Sequence, residues 1–263
     1  MFGLEIHPYG LILGFACIVG WELVKKVAQK YSVAFASISN QLLGIFVVGL
    51  ISARVWHVIT DWSLYSDAPI SALYVWNGGL SIIGGILGGC LAGFVFSLLK
   101  AREKKKTLLR SMTNFFVLTD VLVHAVPISQ AIGRIGNFIN QELYGLPTNL
   151  PWGIPIDPSH RLVSVQSFTH FHPLFLYEMF LNICISAFLW NKRWQLGAGK
   201  AIASYLLLYG LGRVCLDFLR IDRGDHVWFG LSLNQYVLLI LALVSLGFLV
   251  VKNYQLKSTK TGK

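Results

Sequence analysis

Three arginines lie within or at the edge of long apolar stretches: Arg54, Arg134 and Arg213. An arginine at mid-bilayer costs about 2.5–3.5 kcal/mol on insertion scales, so such side chains face a cavity or a partner. Arg213 shares one helical face with Tyr209, Asp217 and Arg220, at i−4, i+4 and i+7. An intrahelical Arg213–Asp217 pair would account for one awkward arginine. Three of them, with no lysine nearby, favour a site for an anionic ligand. Asp120 and His124 stand at i, i+4, as a local hydrogen-bonded pair or as site groups. Glu178 follows His172-Pro173 at the start of an apolar run, where an acidic side chain caps a helix N-terminus. The glycines at 84, 85, 88, 89 and 93 repeat at four-residue spacing, the pattern of close helix packing. No HExxH, paired CxxC, Walker-type or G-x-S-x-G pattern occurs, and His170-Phe171-His172 alone does not make a metal site. The expectation is an absence of metal and organic cofactor.

The elements that must hold these residues are membrane spans. Of 263 residues, 55% are hydrophobic and 13% charged, and the mean hydropathy is +0.61. A soluble domain carries roughly 25% charged residues, so this chain cannot cover a water-exposed surface. Apolar runs at 8–24, 34–57, 79–99, 113–132, 174–190, 201–219 and 233–251 each approach or exceed the ~20 residues needed to cross the hydrocarbon. The runs are continuous, which disfavours a β-barrel. The fold expected is an all-α polytopic membrane protein of seven transmembrane helices.

Lysine placement gives its orientation. All thirteen lysines fall at 25–30, 100–106, 192–200 and 252–263, whereas 58–78, 133–172 and 221–232 have none. By the positive-inside rule the N-terminus is outside and the C-terminus cytoplasmic. The net charge of +10 is then a topology signal, and nucleic acid is not an expected partner. The first run lacks a cationic n-region and cleavage site, so it reads as a retained helix. Residues 1–251 read as a single membrane domain, 252–263 as a basic cytoplasmic tail. Within the domain, 141–172 holds four of the eight prolines and reads as a small extracytoplasmic head segment. Trp56, Trp62, Tyr65, Tyr74 and Trp76 fit an aromatic belt at the outer boundary. The four cysteines lie in apolar runs as small hydrophobes.

The stretch from Gly133 to Gly145, GRIGNFINQELYG, closely resembles the signature G-R-x-G-N-F-x-N-x-E-x-x-G of the bacterial prolipoprotein diacylglyceryl transferase family, matching every fixed position. Further matches follow in family order: His7-Pro8-Tyr9-Gly10, Arg54, Asn77-Gly78-Gly79-Leu80-Ser81, Asp120, Pro127, Pro147-Thr148, Pro151-Trp152, His172-Pro173, Leu176-Tyr177-Glu178, Arg213 and the run Gly230 to Gln235.

The resemblance implies a multi-pass enzyme of the bacterial plasma (inner) membrane, with its active site toward the extracytoplasmic side. It would move diacylglyceryl from phosphatidylglycerol to the lipobox cysteine of a prolipoprotein signal peptide, working within the lipid bilayer. It also implies roles. Arg134 and Arg213 would hold the phosphate, with Asn137 and Asn140 as supporting donors. Glu142 would orient an arginine or the head segment, and Gly133 and Gly136 would let lipid approach. Tyr9, Arg54, Asp120 and Tyr209 would be further substrate contacts.

The chain departs from the family where many members carry a catalytic histidine: it has Ile83. Two accounts of thiol activation stay open. Thiolate formed in water enters an arginine-rich field, the favoured account, since a thiol of pKa ~8.5 is already partly ionised near neutrality. Otherwise a histidine elsewhere is the base, first His124 oriented by Asp120, then His57. The alternatives to transfer are an altered paralogue that only binds lipid or prolipoprotein, an anion transporter, and a structural subunit.

Overall fold

The computed structural model describes residues 8–75, 78–103, 108–192, 194–195, 198–221 and 227–261. His7 and Asn77 lie outside the described residues, as does the side chain of Tyr9. Each apolar run is helical, and one forms two helices. They are α1 (Pro8–Lys30), α2 (Ser39–Thr60), α3 (Ile82–Glu103), α4 (Leu108–Leu122), α5 (Val126–Ile139), α6 (Leu174–Asn191), α7 (Lys200–Asp217) and α8 (Leu233–Thr261). Stretches of α2, α3, α6 and α8 are long and apolar enough to cross a membrane. The expected fourth span is broken: α4 and α5 meet at a 43° bend and together make a fifth candidate. Pro127, in the first turn of α5, explains the break, because proline lacks an N–H and disfavours a helical residue before it. The remaining two helices carry charges, Glu22, Lys25 and Lys26 in α1 and Lys200, Arg213 and Asp217 in α7. The described helices thus supply four to five apolar spans, where the sequence pattern led us to expect seven.

The chain divides into two compact units, Met1–Val27 with Asp120–Lys263, and Ala28–Thr119. In the second, α2 and α3 pack on glycine, as their spacing led us to expect. A Cβ on Gly84 would come within 2.4 Å of Trp56 and 2.6 Å of the Ser52 carbonyl, so the helices could not approach this closely with a larger residue. After α2 the chain makes two short 3-10 turns, Trp62–Leu64 and Pro69–Leu73.

In the first unit, α5, α6, α7 and α8 pack in sequence order. One face of α6 is buried: Leu174, Phe175, Glu178, Asn182, Ile185, Ser186 and Leu189. Segment 141–172 is non-helical apart from short turns, with its own small core of Tyr144, Ile156, Val165 and Phe171. An antiparallel pair, β1 (Ile154–Pro155) and β2 (His170–Phe171), runs through it. The Tyr144 hydroxyl donates to the His160 carbonyl at 2.9 Å and accepts the Leu162 N–H at 2.8 Å. Leu146 N–H donates to the Leu219 carbonyl at 2.8 Å, fastening the segment to the end of α7. A second hairpin, β3 (Val227–Trp228) and β4 (Leu231–Ser232), turns through Phe229 and Gly230, both at positive φ as a two-residue turn demands.

At the opposite end of α7, Lys200 donates to Asn253 at 2.7 Å and lies within electrostatic reach of Lys192 and Lys252. Lysines therefore gather at one end of this unit, about 20 Å along α7 from Arg213.

Candidate active site

Arg134 sits in the last turns of α5, Glu178 in the second turn of α6, and Tyr209 and Arg213 one turn apart on α7. Glu178 is fully buried and joins all three helices. Its Oε1 accepts from Arg134 Nη2 at 2.5 Å and from the Tyr209 hydroxyl at 3.0 Å. Its Oε2 lies 3.3 Å from Arg213 Nη1. One carboxylate thus sits between two guanidinium groups, leaving one positive charge in excess. Arg134 Nε is buried and has no hydrogen-bond partner among the described residues, whereas Arg213 Nη1 and Glu178 Oε2 face one another as an ion pair and have no hydrogen bond there.

The signature residues extend this cluster toward the head segment. Arg134 Nη1 donates to Asn137 Oδ1 at 2.9 Å. The amides of Asn137 and Asn140 in turn face the two oxygens of Glu142, at 3.5 and 3.3 Å. Glu142 lies between Gln141 and Leu143, both left-handed at φ 52° and 56°. Such a conformation costs a non-glycine residue about 1–2 kcal/mol and persists where surroundings impose it. Gln141 is pinned by donating to Asp157 at 2.5 Å and accepting the Asp157 N–H at 2.7 Å. Gly133 has open space where a Cβ would stand, and Gly136 is buried in α5. Next to Glu178, the Tyr177 hydroxyl accepts from the Trp152 indole at 2.8 Å and meets His172 Nδ1 at 3.2 Å.

Several expectations change. Glu178 is not a helix cap: fully buried, it is the shared counter-ion of Arg134 and Arg213. Two arginines in apolar runs require an acid, and that requirement was the signal that could have picked it out. Arg213 therefore does not spend itself on Asp217, whose carboxylate accepts the Ser232 hydroxyl at 2.7 Å and meets Arg220 at 3.8 Å. Asp120 serves the chain's own backbone. Its carboxylate accepts the N–H groups of Gly199 (3.0 Å) and Ile202 (3.1 Å), capping α7 at the lysine end. Nor does that carboxylate orient His124 through Nδ1, which meets the backbone carbonyl of Asp120 at 2.7 Å. His124 precedes α5 by two residues, about 15 Å along the axis from Arg134, so the structure does not bring it to the arginine pair.

Arg54 is placed apart from this cluster. It is buried in the second unit, and its donors go to backbone carbonyls. Nε donates to Ala72, Nη1 to Gly78 and Gly79, and Nη2 to Ser71 and Tyr74, at 2.6–3.3 Å. Its guanidinium stacks 5.1 Å over Tyr65, which is therefore buried rather than part of an aromatic belt. At the same end of α2, His57 Nδ1 meets Asp61 Oδ2 at 2.8 Å, and Thr60 donates to that oxygen at 2.7 Å.

Residues 1–251 match the family profile described as prolipoprotein diacylglyceryl transferase. The chain is 36% identical over 221 residues to the phosphatidylglycerol–prolipoprotein diacylglyceryl transferase of Fervidobacterium nodosum, covering 83% of this chain and 72% of that one. It is 34% identical to the enzyme so named from Synechocystis sp., covering 84% and 76%. For the one from Clostridioides difficile the identity is also 34%, covering 84% and 82%. A match across nearly the whole chain, and relatives of this identity and extent, carry one conclusion: the chain belongs to the prolipoprotein diacylglyceryl transferase family.

Proposed function

We propose that the protein transfers the diacylglyceryl group of phosphatidylglycerol to the thiol of a lipobox cysteine in a prolipoprotein signal peptide. The observation that carries this reading is the pair of guanidinium groups sharing the single Glu178 carboxylate, with the buried Nε of Arg134 left without a hydrogen-bond partner among the described residues. An anionic phosphate is what such a site accepts, and guanidinium forks match its geometry. The thiol sulfur attacks the glycerol carbon bonded to the phosphate oxygen. A carbon–sulfur bond forms, that carbon–oxygen bond breaks, and glycerol phosphate leaves with the thiol's proton. Charge grows on the departing phosphate, where fixed donors act most strongly. With Ile83 on α3 unable to accept a proton, thiolate formed in water suffices as nucleophile. Arg134, Asn137, Glu142 and Arg213 joined in one network argue against a relative that binds without transferring.

The protein spans the bacterial plasma membrane seven times, with its N-terminus, head segment 141–172 and arginine cluster on the extracytoplasmic side. Supporting this, Lys192, Lys200 and Lys252 gather at the end of the unit away from the arginines. The test is purified protein in phosphatidylglycerol vesicles with a lipobox peptide. The peptide should gain the mass of one diacylglyceryl group, and only when presented from the face opposite the lysine-rich loops. An unmodified peptide overturns the reading; modification from the other face overturns the orientation.

A further inference from the structure

Asn182 is the ninth of the eighteen residues of α6, on its buried face one turn beyond Glu178, and it is fully buried. Neither its Nδ2 nor its Oδ1 has a hydrogen-bond partner among the described residues. An amide buried without partners costs on the order of 1–3 kcal/mol, and in a membrane-spanning helix no bulk water relieves it. Four residues of helix carry it about 6 Å past Glu178, toward the middle of the span. From a phosphate held at Arg134 and Arg213, the acyl side of a phospholipid runs in that direction, toward the hydrocarbon. The polar groups a diacylglyceryl unit offers at that depth are its ester carbonyls. These only accept hydrogen bonds, and the asparagine amide brings two donors.

We infer that Asn182 recognises an ester carbonyl of the diacylglyceryl group and makes the enzyme selective for ester-linked over ether-linked lipid. The inference rests on the transferase reading above. Both lipids present the same reacting carbon–oxygen bond, so the ratio of their transfer rates isolates the carbonyl contact from the chemistry.

The experiment measures kcat/KM for transfer to a lipobox peptide from diacyl and from dialkyl phosphatidylglycerol. Wild-type protein should prefer the diacyl lipid by about tenfold, the worth of one hydrogen bond to an otherwise unpaired buried amide. Asn182→Leu should bring the ratio close to one, mainly by losing rate on the diacyl lipid. Leucine suits an apolar helix, and thermal unfolding in detergent checks that the variant is folded. Asn182→Ala, which cannot crowd the helix interface, should give the same ratio. Either variant retaining the wild-type ratio, or wild-type protein using both lipids equally, overturns the inference while leaving transfer itself intact. Wild-type protein that transfers from neither lipid overturns the transferase reading, and the inference with it.

Discussion

Arg54 and the Arg134–Arg213 pair are the same residue type in similar apolar surroundings, yet they are built for opposite ends. Arg54 points all three guanidinium nitrogens at five backbone carbonyls, with no carboxylate in that set. It acts as an internal scaffold that ties together the carbonyls of residues 71, 72, 74, 78 and 79. Arg134 and Arg213 instead share one carboxylate, and the buried Nε of Arg134 is left without a hydrogen-bond partner among the described residues. An arginine in a membrane segment is therefore not by itself a ligand signal. Donor capacity left over after the protein has taken its share is what marks a site.

The sharpest way to break this division is to give all three arginines the same substitution. Arg134→Lys and Arg213→Lys each replace a planar fork by a point charge, and transfer should fall by about a hundredfold or more with the fold intact. Arg54→Lys offers three donors where five bonds were made. It should lower stability by about 2 kcal/mol and change transfer per folded molecule less than tenfold. Saturating kinetics and thermal midpoints measured on the same preparations separate the two. An Arg54→Lys variant that is fully stable and inactive would collapse the distinction.

Glu178 sharpens the comparison from the acidic side. Glu178→Gln keeps the shape but leaves two partly buried guanidinium groups without their fully buried carboxylate, a loss of about 3 kcal/mol. The variant should unfold at lower temperature than wild type, and phosphatidylglycerol should restore more of the midpoint than a zwitterionic lipid does. Equal restoration by both lipids would mean that the excess charge does not select an anion.

How much of this is legible in the sequence follows from what a sequence pattern can encode. The helices follow from hydrophobic runs, and the close α2–α3 packing from glycine spacing, because both are local. The break after Leu122 is hidden in one apolar run and marked only by Pro127. Arg134, Arg213 and Arg54 all stand out as costly in a membrane, but the same reasoning does not tell that Arg54 donates to the chain's own carbonyls. Burial cost says that a partner is needed, and spacing does not say whether that partner is a carbonyl of the chain or a ligand. Glu178 reads as a cap because its position in α6 is visible and its partners, 44 residues upstream and 35 downstream, are not. Asp120 and His124 mislead for the converse reason. Their i, i+4 spacing suggests a pair, while the carboxylate reaches across to the start of α7, 79 residues away.

The smallest expected effect tests the loop that Arg54 organises. Asp61, just past α2, has its carboxyl held below the ordinary value of 3.8, first by the Thr60 hydroxyl and then by His57. A depressed folded-state pKa means that the unfolded chain binds the proton first as pH falls. The stabilisation is then complete above the ordinary carboxylate value and disappears as pH drops through the lower folded value. The group is solvent-exposed, so screening keeps the effect small. Protease accessibility of residues 61–75 should therefore be flat from pH 7 to about 5 and rise only in more acid solution. In Asp61→Asn the loop should be somewhat more accessible at neutral pH and show a weaker acid response. An acid response in Asp61→Asn equal to that of the wild type would show that the Asp61 carboxylate does not support the loop.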